Sequence, residues 1–364
     1  MAHPPHSTQP RMQLASVGTA LPPHFYGQEE LLAGFERLWG DRLFNPERLT
    51  RLHRNVLVEG RHLALPMEEY LRLDGFTAAN DAWVRCAVDL GAAALEDGLA
   101  RARLTVSDVD HILFVSTTGV ATPSIDARLV NRLGLRTDIR RTPIFGLGCL
   151  GGVAGIARAA DWLAAHPDGV AALLAVELCS LTLQREDLSV PNLIASGLFG
   201  DGAAAAILVG GTRADAEERD GPRVVATRSS FYPDTERLMG WEVGSDGFRV
   251  VLSADVPDVV RAHAAGDVDA FLAEHGLDRA DVARWILHPG GPRVLEALEE
   301  SLSLSPAALA RTWRTLAEVG NLSSVSALLV LERVMAEDSP VAGSWGLMMA
   351  MGPGFCSELA LLRW

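Results

Sequence analysis

Two stretches of this 364-residue chain repeat at almost one spacing, and that repeat constrains the fold more than any other feature. LTVSDVDHILFV begins at Leu104 and LDRADVARWILH at Leu277, an offset of 277 − 104 = 173 residues. In each, a leucine is followed four residues later by Asp-Val and then by an apolar run. GCLGGV from Gly148 and GNLSSV from Gly320 match at 320 − 148 = 172. Two independent matches at nearly the same offset point to a duplicated unit. The unit is of α/β type. HILFVSTTG, VAALLAVE, AAAAILVGG, RWILHPGG and WGLMMAMGPG are short apolar runs closed by Gly, Pro or small polar residues, as buried strands are, and amphipathic stretches such as WVRCAVDLGAAALEDGLARA alternate with them. The polar segment Thr212–Arg223, TRADAEERDGPR, is the predicted boundary, dividing an N-terminal half, 1–211, from a C-terminal half, 222–364.

Under that duplication Cys149 and Asn321 fall at equivalent helix starts, and His288 ends the strand 33 residues before Asn321 (321 − 288). The three converge where the halves meet, which is where ligand sites form. FGLGCLGGVAG, from Phe145, admits two readings. Gly146, Gly148 and Gly151 spell G-x-G-x-x-G, as in a dinucleotide-binding loop, and Glu177 stands 26 residues after Gly151 (177 − 151), near the place of a ribose-binding acid. The same stretch sets Cys149 at a helix start, where backbone N–H groups lower a thiol's pKa, with Gly146, Gly148, Gly151 and Gly152 clearing space for a substrate. Against the nucleotide reading, DIRRTPIF ahead of Gly146 makes a poor central strand, and GNLSSV holds the equivalent turn without the glycines. Cys86 and Cys356 sit in apolar patterns and read as core.

Charge and composition remove other chemistries. A net charge of −14 is wrong for tracking a phosphate backbone, so no nucleic-acid partner is expected. All 32 basic residues are arginine, which excludes a Schiff-base lysine, a pyridoxal phosphate anchor and a Walker lysine. No apolar run is long enough for membrane insertion, the N-terminus has no apolar signal region, and four cysteines without CxxC or metal spacing read as reduced thiols of a cytoplasmic protein.

GLGCLGG, LFGDGAAAAILVGG from Leu198, WILHPGGPRVLE from Trp285, GNLSSVSALLVL from Gly320 and MGPGFCSEL near the C-terminus resemble the thiolase superfamily, and within it the type III polyketide synthases, the chalcone synthase family. The resemblance runs from about Leu14 to the C-terminus. It implies the thiolase fold, a duplicated αβαβα five-layer core with pseudo-twofold symmetry, and a homodimer. Cys149 matches the nucleophile that takes the starter from coenzyme A and carries the chain. His288 and Asn321 match the pair that grips the malonyl thioester and stabilises the enolate formed on decarboxylation, His288 also keeping Cys149 as thiolate. Phe199 matches a gatekeeper aromatic, and Thr117, Thr118, Thr122, Cys179, Thr182, Trp241, Val250, Ser323 and Met351 fall at chamber positions. Val250 replaces a second gatekeeper phenylalanine of plant members, which widens the chamber. Cys179 replaces a threonine and opens the way to an acyl tunnel. The plant GFGPG loop reads Ala350-Met351-Gly352-Pro353-Gly354 here. Arg48, Arg51 and Arg54, with His53 beside them, are the candidates for coenzyme A phosphates.

The implied reaction loads an acyl-CoA on Cys149, extends it by repeated decarboxylative condensation with malonyl-CoA, and releases an alkylpyrone or alkylresorcinol. Malonyl-CoA as its own starter would give tetrahydroxynaphthalene. No cofactor is implied beyond the coenzyme A thioesters. The rivals are a ketoacyl synthase making a single condensation, whose histidine sits in a motif other than HPGGP, an NAD(P)-binding oxidoreductase, and a scaffold without catalysis.

Overall fold

The computed structural model describes residues 12–43, 45–214, 221–337 and 341–364. The N-terminal segment read for a signal peptide and residues 215–220 of the expected boundary lie outside them. The first half runs β1 (Gln13–Ala20), β2 (His24–Gly27), α1 (Gln28–Trp39), α2 (Pro46–Asn55), β3 (Gly60–Leu63), α3 (Gly75–Arg101), β4 (His111–Val115), α4 (Ile125–Leu133), β5 (Arg140–Ile144), α5 (Gly151–Ala165), β6 (Val170–Leu178), α6 (Val190–Leu198) and β7 (Asp201–Val209). The second runs β8 (Arg223–Phe231), β9 (Met239–Gly244), β10 (Gly247–Leu252), α7 (Val256–Glu274), β11 (Val282–Leu287), α8 (Pro292–Leu302), α9 (Ala310–Val319), α10 (Ser326–Glu337), β12 (Trp345–Gly352) and β13 (Cys356–Arg363).

The duplication is visible in strand pairing. β4 runs parallel to β6, and β7 and β1 follow antiparallel; β11 runs parallel to β12, and β13 and β8 follow antiparallel. The two half-sheets join through β1 and β8 at Gln13 and Arg223, giving the order β11-β12-β13-β8-β1-β7-β6-β4-β5. β5 is the outer edge, which accommodates Pro143 and its exposed arginines. Even the strand entrances repeat: Thr105 and Asp108 form a reciprocal capping box before β4, and Asp278 and Asp281 form one before β11, 278 − 105 = 173 residues later.

Helices α5 and α10 lie between the half-sheets and touch both, α3 covers the outer face of the first, and α7 and α8 pack on the second, which makes the five layers. Burial explains the strand composition. β6, VAALLAVEL, and β7, DGAAAAILV, are buried along their whole length, so they show no alternation. The alanines of β7 let helices approach from either side. A Cβ at Gly18 would meet the backbone N of Gly98 at 2.1 Å, so α3 lies directly against β1.

Candidate active site

Cys149 sits in a single 3-10 turn, Gly148–Leu150, between edge strand β5 and helix α5, and is 5% exposed. Gly148 precedes it with φ 54°, as Gly320, φ 74°, precedes Asn321. The helical equivalence is looser than the repeat implies: in the second half the 3-10 turn is Ser323–Val325, two residues beyond Asn321. Asn321 is instead clamped by its backbone, which pairs with Phe199, donates to the Leu198 carbonyl at 2.9 Å and accepts from Gly200 N at 3.0 Å. Its side-chain Oδ1 accepts from Ser323 N at 2.7 Å, and its Nδ2 donates to the Gly290 carbonyl at 3.2 Å. The Asn321 amide and the Ser323 hydroxyl both favour the charged form of the Cys149 thiol. Gly290 lies two residues past His288, so Asn321 ties the loop after β11 to the nucleophile.

His288 leaves β11 with its N–H donated to the Met349 carbonyl at 2.9 Å, and it is 5% exposed. Neither ring nitrogen has a hydrogen-bond partner among the described residues. A buried imidazole with both nitrogens unspent is a donor and acceptor held for something else. Burial pushes it down to about 3, so it stands neutral. Burial likewise pushes the Cys149 thiol up to about 11, against hydrogen bonds from Ser323 and Asn321 that pull it down. The thiol lowered by its helix start, expected from sequence, is therefore not what the resting site holds. Desolvation outweighs the few N–H groups of one 3-10 turn.

The glycines serve packing, not a substrate or a pyrophosphate. A Cβ at Gly148 would meet Pro353 at 2.6 Å, one at Gly151 would meet Val115 at 2.6 Å, and one at Gly152 would meet the Ser324 carbonyl at 2.3 Å. Among these four only Gly146 faces open space. Glu177, the would-be ribose acid, is fully buried and ties the halves together. It accepts from Ser324 Oγ at 2.6 Å, Thr118 Oγ1 at 2.9 Å, Thr117 N at 3.0 Å and Ser116 Oγ at 3.3 Å. The loop aims a sulfur.

Five of the expected chamber residues, Phe199, Cys179, Thr182, Trp241 and Val250, line one cavity of about 530 Å³. Trp241 and Val250 face each other across the β9–β10 hairpin. More of the wall comes from α1, β3 and the segment after it, and α6, including Leu31, Phe35, Met67 and Ala195. Phe199, on the wall of this cavity, pairs its backbone with Asn321, which joins the space to the loop of the candidate site. Thr118 borders a smaller space of about 240 Å³ that shares Tyr70, Ser180 and Thr182 with the first. Its hydroxyl also accepts from Leu178 N at 2.9 Å and from Trp83 Nε1 at 3.2 Å, and Thr117 is held on Glu177, so both serve as scaffold of the site. Met351 lies with His288 around a narrow gap on the β12 side. Thr122 is exposed and lies outside these cavities.

Arg48 and Arg51 are exposed on α2, as a phosphate contact requires. Arg54 is turned to Glu29 at 3.2 Å. His53 is fully buried, with Nε2 3.0 Å from Ser196 Oγ and its pKa pushed by burial to about 3, so it offers no charge to a phosphate. Sequence reasoning missed Arg61, buried at the cavity wall. The available signal was an arginine inside the apolar run VLVEGRHLAL.

Fold and site together define a thiolase-fold condensing enzyme. The chain belongs to the chalcone and stilbene synthases: the family's N-terminal domain model matches residues 6–212 and its C-terminal domain model residues 223–364. It is a type III polyketide synthase, an acyltransferase of decarboxylative Claisen condensation. It is 52% identical to a 1,3,6,8-tetrahydroxynaphthalene synthase of Streptomyces peucetius subsp. caesius, over 96% of this chain and 93% of that protein. It is 33% identical to a 3,5-dihydroxyphenylacetyl-CoA synthase of Streptomyces toyocaensis, over 98% and 91%. The crystal structure of 1,3,6,8-tetrahydroxynaphthalene synthase from Streptomyces coelicolor A3(2) superposes with a TM-score of 0.91 at 35% identity, covering 97% of this chain and 99% of that one. Among the described residues no helix is long and apolar enough to cross a membrane.

Proposed function

We propose that this chain condenses malonyl-CoA with itself and releases a tetrahydroxynaphthalene, acting as a homodimer in the cytoplasm with no cofactor beyond the coenzyme A thioesters. The 52% identity to a tetrahydroxynaphthalene synthase, sustained over nearly the whole chain, is the observation that carries the product. In this reading Arg48 and Arg51 receive the coenzyme A phosphates. The Cys149 proton passes to His288, the thiolate attacks the acyl-CoA carbonyl, and coenzyme A thiol leaves with a proton. Passing a proton from thiol to imidazole leaves the net charge of the pocket unchanged, which is how two groups that each resist charging alone can ionise as a pair.

Malonyl-CoA then places its thioester oxygen between His288 and the remaining Asn321 N–H. Loss of carbon dioxide leaves an enolate on that oxygen, which these donors stabilise. The enolate carbon attacks the Cys149 thioester, a carbon–carbon bond forms, the carbon–sulfur bond to Cys149 breaks, and the freed thiolate takes back the chain for the next round. Phe199, Trp241 and Val250 shape the space the chain fills.

A second reading, an alkylpyrone or alkylresorcinol from an aliphatic starter, is favoured by the leucines, Phe35 and Met67 along the cavity. One experiment separates the two. Purified protein is given isotopically labelled malonyl-CoA alone and with aliphatic acyl-CoAs, wild type beside Cys149→Ala, and products are read by mass. Labelled naphthalene from malonyl-CoA alone, absent in the mutant, is the expected result. Products containing an intact alkyl chain in place of the naphthalene would turn the reading to the second, and no labelled product would defeat both.

A further inference from the structure

The cavity lined by Phe199, Cys179 and Val250 is walled mostly by apolar side chains, and the hydroxyls on its wall are spent. The Tyr70 hydroxyl lies 2.6 Å from Ser180 Oγ and accepts from Leu65 N at 3.2 Å. Thr182 Oγ1 donates to the Cys179 carbonyl at 2.7 Å, and Ser196 Oγ to the Leu193 carbonyl at 2.9 Å. Arg37 and Glu68 are exposed and mark the rim. Arg61, on β3, is different. It is 2% exposed and lines the same cavity, yet among the described residues only its Nη1 has a partner, donating to the Phe199 carbonyl at 2.7 Å, and Nε and Nη2 have none. The nearby carboxylate of Asp201 is already occupied by Ala64 N at 2.6 Å, by Ser180 N at 2.8 Å and by the Ser180 hydroxyl.

A guanidinium does not give up its proton, and donors left unpaired in a closed apolar space are costly, so this side chain fits an occupant that brings oxygen. A saturated alkyl chain offers nothing to it. A β-polyketone offers a carbonyl or enolate oxygen on alternate carbons, and a malonyl-derived chain can end in a carboxylate that meets the fork two-handed. The position suits such a chain: Arg61 and Phe199 line the same cavity, Arg61 holds the Phe199 carbonyl, and the Phe199 backbone pairs with Asn321, so the wall runs from Asn321 to the guanidinium.

We propose that Arg61 is the polar anchor of this cavity, its Nε–H and Nη2–H holding an oxygen of the chain built on Cys149, and that it selects an oxygenated polyketone over an alkyl chain. This rests on the reading of the chain as a malonyl-CoA-using synthase. Its roles are specificity and positioning, since no bond to Arg61 forms or breaks.

The test compares wild type, Arg61→Met and Arg61→Lys, each given labelled malonyl-CoA alone or with octanoyl-CoA, with product masses as readout. Arg61→Met is expected to lower the ratio of malonyl-only to octanoyl-primed product by about tenfold, with Arg61→Lys restoring part of it. A ratio within roughly twofold of wild type in the folded variants would overturn the assignment. The wild type supplies an independent arm should the variants not fold. 3-Oxoglutarate should protect Cys149 from iodoacetamide about tenfold better than octanoate, and equal or weaker protection likewise overturns it. If wild type makes no labelled product, the synthase reading fails, while the protection arm still judges Arg61.

Discussion

Gly152 lies so close to Ser324 that a Cβ on it would stand 2.3 Å from the Ser324 carbonyl oxygen, and Leu328 would follow at 3.2 Å. Helix α5, which follows Cys149, is thus seated against the segment that carries Asn321 and Ser323, and Ser324 also donates to Glu177 at 2.6 Å. The two halves share one joint behind the catalytic loop.

That joint predicts contrasting effects for two helical glycines. Gly152→Ala forces α5 away from a backbone atom that cannot rotate aside, and should cost about 1–3 kcal/mol or more in urea unfolding. Gly266, inside α7, has nothing within 4 Å of its added Cβ. Gly266→Ala should stabilise by about 0.5–1 kcal/mol through helix propensity alone. Equal midpoints for the two variants would show that the joint is not tight.

The repeat and the α/β class were legible because buried strands and glycine turns leave local marks at a fixed offset, while the five layers came only with the family resemblance. Cys149 and Asn321 stood out through the same repeat, and His288 as the end of an apolar strand entering a glycine-rich turn. What sequence could not carry was the destination of side chains across the interior. Glu177 reads as a ribose acid until Ser116, Thr117, Thr118 and Ser324 are seen to surround it. The glycines read as a cradle until Pro353 and Ser324 are seen to fill it. The lowered thiol pKa failed because it rested on local N–H groups, whereas burial is a property of the whole fold.

Three buried histidines make the protein acid-sensitive. Burial holds His53 and His288 at about 3 and His111 at about 4, against 6.5 for an ordinary histidine. Between those values the unfolded chain binds protons that the folded chain refuses, so the stability present above pH 6.5 is lost as pH falls toward 4. Asp201 acts in the opposite sense: burial raises it from 3.8 to about 6, so over that interval the folded chain binds the extra proton. Glu177, whose carboxyl burial also raises, acts with Asp201, so three groups stand against two; the histidines, whose interval opens at 6.5, set the net loss on acidification. The melting temperature should fall by several degrees from neutral pH to about pH 5, at roughly 2–4 °C per kcal/mol for a chain of moderate size. His111→Gln, which can keep the contact to Thr142, should shrink the fall. A melting temperature that is flat or rises on acidification would contradict the assignment.

Arg48 and Arg51 stand exposed on α2 with no ion pair among the described residues. Reversing both to glutamate should raise the KM for acyl-CoA by about tenfold and weaken the effect of salt on it, because the lost term is electrostatic. The same protein separates the two readings of the glycine loop by thermal shift. Coenzyme A should raise the melting temperature of wild type by mass action, and NAD(P) should not, since the atoms around Gly148, Gly151 and Gly152 leave no room for a pyrophosphate. An unchanged KM in the double variant would place the coenzyme elsewhere.

Val250 faces Trp241 across the hairpin that closes one side of the 530 Å³ cavity. Val250→Phe adds an aromatic ring to a wall whose backbone is fixed by six cross-strand pairs, from Gly247–Gly244 to Leu252–Met239, so the ring must take cavity volume and cannot be absorbed by a shift of the strand. A chain that grows into this cavity then meets the ring before it reaches full length. Products should shift toward fewer malonyl extensions, and any aliphatic starter should lose its longest accepted chain, with about tenfold lower yield per length excluded. Thermal unfolding should be nearly unchanged, since the position borders a void, which distinguishes filling the chamber from damaging the fold. An unaltered product spectrum with the protein folded would mean that the growing chain runs elsewhere from Cys149, into the smaller space beside Thr118 and Phe248.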